Sequence, residues 1–268
     1  MGSPRDDAVI DPVAGTHGPA WVDTHCHLQL GPEEPGRVLE RAHAAGVPWV
    51  VCPGTNAATS AAARDLAVAH PGEVFATSGL HPHEADRWDA DGDAIIALAA
   101  DAVAVGECGL DFYRNLSPPD VQRRVFRVQV QLAVELDKPL VVHCRDAFAD
   151  VHTTLEEESA GPRAILHCWT AGPRWTRRFA DLGVTFSFAG PITFAGGDTV
   201  RLAAAAAPRH RTMVETDSPY LTPPPHRSAP NEPANVVRVG EALAAVWAME
   251  PDEVARTTTA TALAVFRG

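Results

Sequence analysis

Trp21-Val22-Asp23-Thr24-His25-Cys26-His27 leads from an apolar start into a His-x-His pair. In an extended strand successive side chains point to opposite faces, so His25 and His27 share one face and Cys26 takes the other. Two imidazoles on one rigid edge make half a metal site. Taken alone, such a pair is more often an ordinary polar strand end. Its company changes that reading. Glu107, His143, His167 and Asp217 each close a short apolar, β-branched run, in Ala-Val-Ala-Val-Gly-Glu, Pro-Leu-Val-Val-His, Ala-Ile-Leu-His and Met-Val-Glu-Thr-Asp. Six potential ligands at the ends of five strands are hard to attribute to chance.

Working outward, apolar runs recur at Trp49-Val-Val-Cys, Val74-Phe-Ala-Thr, Ala102-Val-Ala-Val, Leu140-Val-Val, Ala164-Ile-Leu, Val184-Thr-Phe-Ser-Phe and Thr212-Met-Val, which with the first makes eight. Segments of helical character lie between them, at 35–45, 57–70, 91–100, 118–136, 147–158, 173–182 and 198–207. Runs this continuously apolar are expected of parallel strands covered on both faces. Eight strands alternating with helices predict an α/β fold, a (β/α)8 TIM barrel, whose usual length of about 250 residues fits this chain. An open doubly wound sheet is the alternative, and no Gly-x-Gly-x-x-Gly follows the first strand to support it. Two further helical patterns, 234–247 and 251–266, predict extra C-terminal helices, the second opened by Pro251 with Asp252 and Glu253 in its first turn. Residues 1–20 are rich in Gly, Pro and Asp without periodicity and read as a flexible leader, which leaves 21–268 as one barrel domain. The proline-dense stretch Ser218 to Pro233 reads as a loop walling the mouth, because proline lowers the entropy lost on ordering.

Bulk composition narrows the class. The chain has 268 residues, a formal charge of −12 and a pI near 5.4, which argues against broad counterion-driven affinity for nucleic acid. No apolar stretch approaches the ~20 residues that span a bilayer, and the start lacks a signal peptide's layout. A soluble, cytoplasmic protein with no membrane partner is expected. No residue pattern specifies an oligomer, so a monomer is the default. The five cysteines, Cys26, Cys52, Cys108, Cys144 and Cys168, sit in strand-like runs, four of them beside a candidate ligand. Alternation turns those four away from the site, so they read as small buried hydrophobes in a reducing compartment.

In a barrel the C-terminal strand ends converge on one pocket. Four imidazoles and two carboxylates suffice for two divalent ions if one carboxylate bridges. Glu107, from a central strand, is the expected bridge. His25, His27, Glu107 and Asp217 are assigned to one ion, and Glu107, His143 and His167 to the other. Asp217 is placed to accept a proton from an attacking water, so metal-assisted hydrolysis is the expected chemistry. A purely structural metal is disfavoured, because structural zinc sites close with four Cys or His and carry no surplus carboxylates.

The chain resembles the TatD family of metal-dependent hydrolases within the amidohydrolase-like barrels. The resemblance runs through Asp-Thr-His-Cys-His-Leu (23–28), Gly-Leu-His-Pro-His (79–83), Val-Gly-Glu-Cys-Gly-Leu-Asp-Phe (105–112), Val-His-Cys-Arg-Asp-Ala (142–147), Leu-His-Cys-Trp (166–169), Glu-Thr-Asp-Ser-Pro-Tyr-Leu (215–221) and Asn-Glu-Pro (231–233). It implies a dinuclear zinc, magnesium or manganese site on the six residues named, and hydrolysis of phosphodiesters in DNA or RNA, often as a 3′-to-5′ exonuclease. Lys138, the only lysine, precedes Pro139 at the start of the fifth strand. It is at the wrong end of the barrel to bridge metals as a carboxylated lysine. The family pattern suggests that one histidine of the 81/83 pair touches the substrate phosphate, His81 being nearer the strand end. Arg145 is assigned to a phosphate, or to an ion pair with Asp146 or Asp111. Tyr113 and Arg114 are placed at the mouth, and Asn231 and Glu232 as anchors of the proline-rich loop. Two departures remove positive charge that the family usually carries: Ala195-Gly196-Gly197 after Phe194, and Ser228-Ala229-Pro230 after Arg227. They keep a second reading open, a hydrolase of a small phosphoester, lactone or amide. A non-enzymatic barrel would need a broken ligand set, and all six ligands are present.

Overall fold

The computed structural model describes residues 20–267. The expected leader 1–20 therefore lies outside the described residues except for Ala20, whose carbonyl accepts a hydrogen bond from Thr259 Oγ1 at 2.8 Å. Seven strands, β1 (Val50–Cys52), β2 (Val74–Ser78), β3 (Ala104–Asp111), β4 (Leu140–Arg145), β5 (Ala164–Leu166), β6 (Thr185–Phe188) and β7 (Thr212–Val214), pair in sequence order in one sheet. Every pairing is parallel. Helices return the chain between strands: α1 (Pro35–Ala44), α2 (Ala57–Ala69), α3 (Trp88–Ala99), α4 (Pro119–Glu135), α5 (Phe148–Glu157), α6 (Pro173–Asp181) and α7 (Asp198–Ala206), followed by α8 (Val236–Trp247) and α9 (Pro251–Phe266). These nine helices match the nine segments expected from periodicity. Helix α2 starts where Asn56 accepts from Thr59 N at 2.9 Å in a capping box, which satisfies a donor otherwise orphaned at a helix start. Helix α3 begins three residues earlier than expected because Trp88 packs against the cluster of Leu80, Ala85, Ile95 and Val125.

The expected first strand is irregular. Segment 22–27 makes two isolated parallel bridges, Asp23 to Val50 and Cys26 to Ser218. It nevertheless bonds to both edges of the sheet. Cys26 N donates to Val51 O and Val51 N to Asp23 O, each at 2.9 Å, while Thr24 N donates to Val214 O at 3.2 Å and Asp217 N to His25 O at 2.9 Å. The barrel closes through it. It fails as a regular strand because the His25 amide donates to the Asp23 carboxylate at 3.2 Å instead of to a neighbouring chain.

Strand alternation separates two cores. Val22, Trp49, Val51, Val141, Ile165 and Met213 fill the barrel interior, closed below by Ala262 and Phe266 of α9. Cys52, Leu140, Val142, Leu166 and Phe186 pack outward against the helices. Fully burying a side chain such as Phe186 contributes about 1.5–3 kcal/mol, so this outer layer carries much of the stability. Lys138 Nζ donates to the carbonyls of Ala99, Ala100 and Ala102 at 2.5–2.7 Å. It caps the C-terminal end of α3, at the barrel's N-terminal end and away from the His-x-His pair. Among the described residues no helix is long and apolar enough to cross a membrane.

Candidate metal centre

Strand β3 delivers the central carboxylate, and two glycines with positive φ let it do so. Gly106 sits at φ +128° and Gly109 at +135°, conformations that residues with a β-carbon rarely adopt. A β-carbon at Gly109 would collide with the carbonyl oxygen of His143. The close approach sets Glu107 and His143 side by side across the β3–β4 pair, where the register shifts between Val105 and Cys108.

All six side chains singled out in the sequence meet at the C-terminal mouth. Glu107 Oε2 lies 3.3 Å from His25 Nε2 and 3.8 Å from His27 Nε2. Asp217 Oδ1 lies 3.9 and 3.5 Å from the same two nitrogens, which are 3.3 Å apart. The other oxygen of Glu107, Oε1, faces a different set: His143 Nδ1 at 3.2 Å, His167 Nε2 at 2.9 Å and His81 Nε2 at 3.3 Å. His143 Nδ1 and His167 Nε2 are 3.3 Å apart.

The donor set fits divalent cations. An ion with ligand bonds of 2.0–2.1 Å in a tetrahedral shell spaces its ligand atoms by about 3.3 Å, close to most of these separations. The rings of His25 and His167 stack at 4.0 Å, where two imidazolium charges would repel. Neutral imidazoles avoid that repulsion, and a cation between their converging lone pairs and the Glu107 oxygens would satisfy both. Burial pushes the Glu107 carboxyl up, but the facing His167, His81 and His143 outweigh it and hold it well below the usual carboxylate range. At Asp217 burial is likewise overcome, chiefly by the His27 hydrogen bond and the charges of His25 and His27, and its pKa lies below the ordinary value.

Three residues behind these side chains were not assigned from sequence. Glu215 Oε1 accepts from Cys168 N at 2.7 Å and faces His167 Nδ1 at 3.3 Å, which turns His167 Nε2 inward. Asp111 Oδ2 lies 2.8 Å from His83 Nε2 and 3.2 Å from His143 Nε2. Asp23 binds Thr216 through its amide at 2.9 Å and its hydroxyl at 2.5 Å, joining the first segment to the last strand end. Glu215 could have been found by parity, since it stands two residues before Asp217. Asp111 shares the parity of Glu107, four residues further along β3.

The outer residues differ in part from expectation. His81 Nδ1 accepts from the His83 amide at 3.1 Å, so its Nε2 carries the proton. Burial lowers its pKa to about 4. It is a neutral donor aimed at Glu107, and neither it nor His83 is fully exposed. Arg145 pairs with neither Asp146 nor Asp111. Its guanidinium lies 3.9 Å from the ring centroid of Tyr113, because flat stacking on an exposed ring leaves the long side chain solvated. Arg227 stacks likewise on Phe194 at 3.5 Å. Asn231 anchors its loop as expected, donating to Thr216 O at 3.0 Å and Tyr220 O at 2.7 Å. Glu232 ties that loop to α1 through Arg41 at 2.6 Å.

The profile of the TatD related DNase family matches residues 22–267. The chain belongs to the TatD family of metal-dependent hydrolases. Among curated relatives, the uncharacterized metal-dependent hydrolase YabD of Bacillus subtilis is 37% identical over 251 residues, covering 91% of this chain and 98% of that one. The 3′-5′ ssDNA/RNA exonuclease TatD of Salmonella typhimurium is 38% identical over 238 residues, covering 85% and 91%. The crystal structure of the TatD homologue YJJV from Escherichia coli superposes with a TM-score of 0.84 at 25% identity, covering 92% of this TatD-family chain and 98% of the other.

Proposed function

We propose that this TatD-family hydrolase cleaves phosphodiester bonds at the 3′ end of single-stranded DNA or RNA, using two divalent ions. The observation that carries the reading is the division of Glu107, whose Oε2 faces His25 and His27 while its Oε1 faces His143 and His167. His25, His27, Glu107 and Asp217 would hold one ion, and Glu107, His143 and His167 the other. Zinc, magnesium or manganese bound there would lower the pKa of water and stabilise charge on the phosphoryl oxygens.

The chain's own groups do the rest. Asp217, the least enclosed of the carboxylates facing these nitrogens, takes the proton of the attacking water. The water oxygen joins phosphorus, the P–O3′ bond breaks, and O3′ takes a proton from solvent to become the shortened strand's hydroxyl, while Asp217 returns its proton to solvent. His81, neutral and protonated on Nε2, would turn that donor from Glu107 to a phosphate oxygen once a cation takes the carboxylate, and Arg145 offers its guanidinium edge to the next phosphate. The five cysteines are free, three of them buried and two partly exposed, which supports a reducing, cytoplasmic setting.

The test pairs elemental analysis of the metal-saturated protein with hydrolysis of 5′-labelled single strands in magnesium, manganese, cobalt or zinc. Two ions per chain and stepwise 3′ shortening are expected. One ion at saturation removes the dinuclear site. A second reading, hydrolysis of a small phosphoester, lactone or amide, is favoured by the exposed Ala195-Gly196 and Ser228-Ala229 positions at the mouth, which carry no positive charge. Cleavage of such a compound with every strand left intact would establish it.

A further inference from the structure

A cleft of about 330 Å3 opens beside His27 and runs between α1 and the proline-rich loop. From its placement we infer that it seats the 3′-terminal nucleoside of the strand and discriminates against a 3′-phosphate. The inference rests on the nuclease reading above.

The volume sits at the lower end of small-molecule sites, about 300–1,000 Å3, and suits one nucleoside. The inner end touches His27 and Ser218, beside the candidate metal ligands, and the far end reaches Glu33, Arg41 and Glu232. Arg41 is held by both acids, Nε to Glu232 at 2.6 Å and Nη1 to Glu33 at 3.2 Å. Two carboxylates against one guanidinium leave the far end with a net negative charge. Leu28, Pro219 and Pro233 give apolar wall for a base and sugar, and the Asn231 bonds hold the loop in place without a ligand. Arg227 does not line this cleft, since it turns onto Phe194.

The opposite rim offers a cation. Above β3 and β4, Arg145 has no carboxylate partner among the described residues, and its stacked guanidinium keeps an open edge. A polyanionic strand is therefore favoured on the Arg145 side, and of a strand's parts only one without negative charge is favoured beside Glu33 and Glu232. A strand's 3′ nucleoside with a free hydroxyl is such a group. A 3′-phosphate would put negative charge next to the two acids, and repulsion between like charges in a partly exposed site costs about tenfold in occupancy.

The experiment compares 5′-labelled oligonucleotides of one sequence ending in a 3′-hydroxyl or a 3′-phosphate. Initial rates are read with the manganese-loaded enzyme, and affinities by fluorescence anisotropy with metal-depleted protein. The hydroxyl form is expected to be cleaved and bound at least about tenfold better. Glu33→Gln and Glu232→Gln should each bring the two forms to within about threefold, with metal content unchanged. Glu33 is half exposed and outside the core, so its variant keeps the test alive should Glu232→Gln loosen the loop. Equal handling of both ends, or discrimination untouched in both variants, overturns the seat and leaves the nuclease reading standing. Failure to cleave either strand removes that reading and the seat with it.

Discussion

Glu215 offers a quantitative test of how the centre is built. It is fully buried, and one oxygen serves both Cys168 N and His167 Nδ1. Glu215→Gln keeps an acceptor there and removes the charge that raises the ring's basicity. Outer partners of metal-bound histidine are worth about 10–100-fold in affinity, and the conservative change belongs at the lower end, about tenfold or 1.4 kcal/mol. Glu215→Ala removes both bonds, so His167 can present the wrong nitrogen, and affinity should fall about 100-fold. It also strands the Cys168 amide, at about 1–3 kcal/mol of stability, or roughly 2–4 °C in Tm per kcal/mol for a chain this size. The assay is titration of metal-free protein against a fluorescent chelator, with calorimetry in excess chelator to isolate the stability part. Glu215→Ala protein that binds metal as tightly as wild type would refute the argument that Glu215 orients His167.

Asp217→Asn keeps an oxygen donor and loses its basicity, so turnover should fall far more than metal content; unimpaired turnover removes Asp217 from the mechanism. Glu107→Ala should lose both ions together by elemental analysis, because both donor sets depend on its carboxylate. Gly109→Ala forces a β-carbon into the His143 carbonyl and should destabilise by more than about 1 kcal/mol while weakening metal binding, read by denaturant unfolding and chelator titration. Ala195→Lys with Ala229→Lys should tighten single-strand binding and steepen its salt dependence by about 0.7 per new phosphate contact; an unchanged slope would mean the strand does not pass those positions.

Much of this architecture is legible in the sequence because a parallel barrel makes period-two reading informative. Every strand end carries one inward residue to a common mouth, so the meeting of His25, His27, Glu107, His143, His167 and Asp217 follows from their places after apolar runs. The same parity sends Cys26, Cys52 and Cys108 into the outer core, where they are fully buried; Cys144 and Cys168, expected there too, stay partly exposed near the mouth ends of their strands. What escapes is structure made by single long-range bonds. The Asp23 carboxylate takes the His25 amide and so spoils a regular strand. Arg145 finds Tyr113 only because β3 and β4 end side by side, and Asp111 gains His83 and His143 by folding alone.

The irregular segment 22–27 also makes the candidate metal centre depend on how the ring of strands is closed. It meets β1 on one side and the β7 end on the other, so the ring of strands has a seam held by a few amide bonds and the Asp23–Thr216 pair. Two imidazoles hang on that seam and Asp217 lies directly across it. A chain whose other strands were all assembled would still lack half of its candidate ligands' geometry until the seam closed. Competence to bind metal is therefore tied to closure of this seam. Transient opening there would disband one half of the centre while Glu107, His143 and His167 stayed together on consecutive strands, giving ions a route of exchange that leaves the rest of the barrel folded.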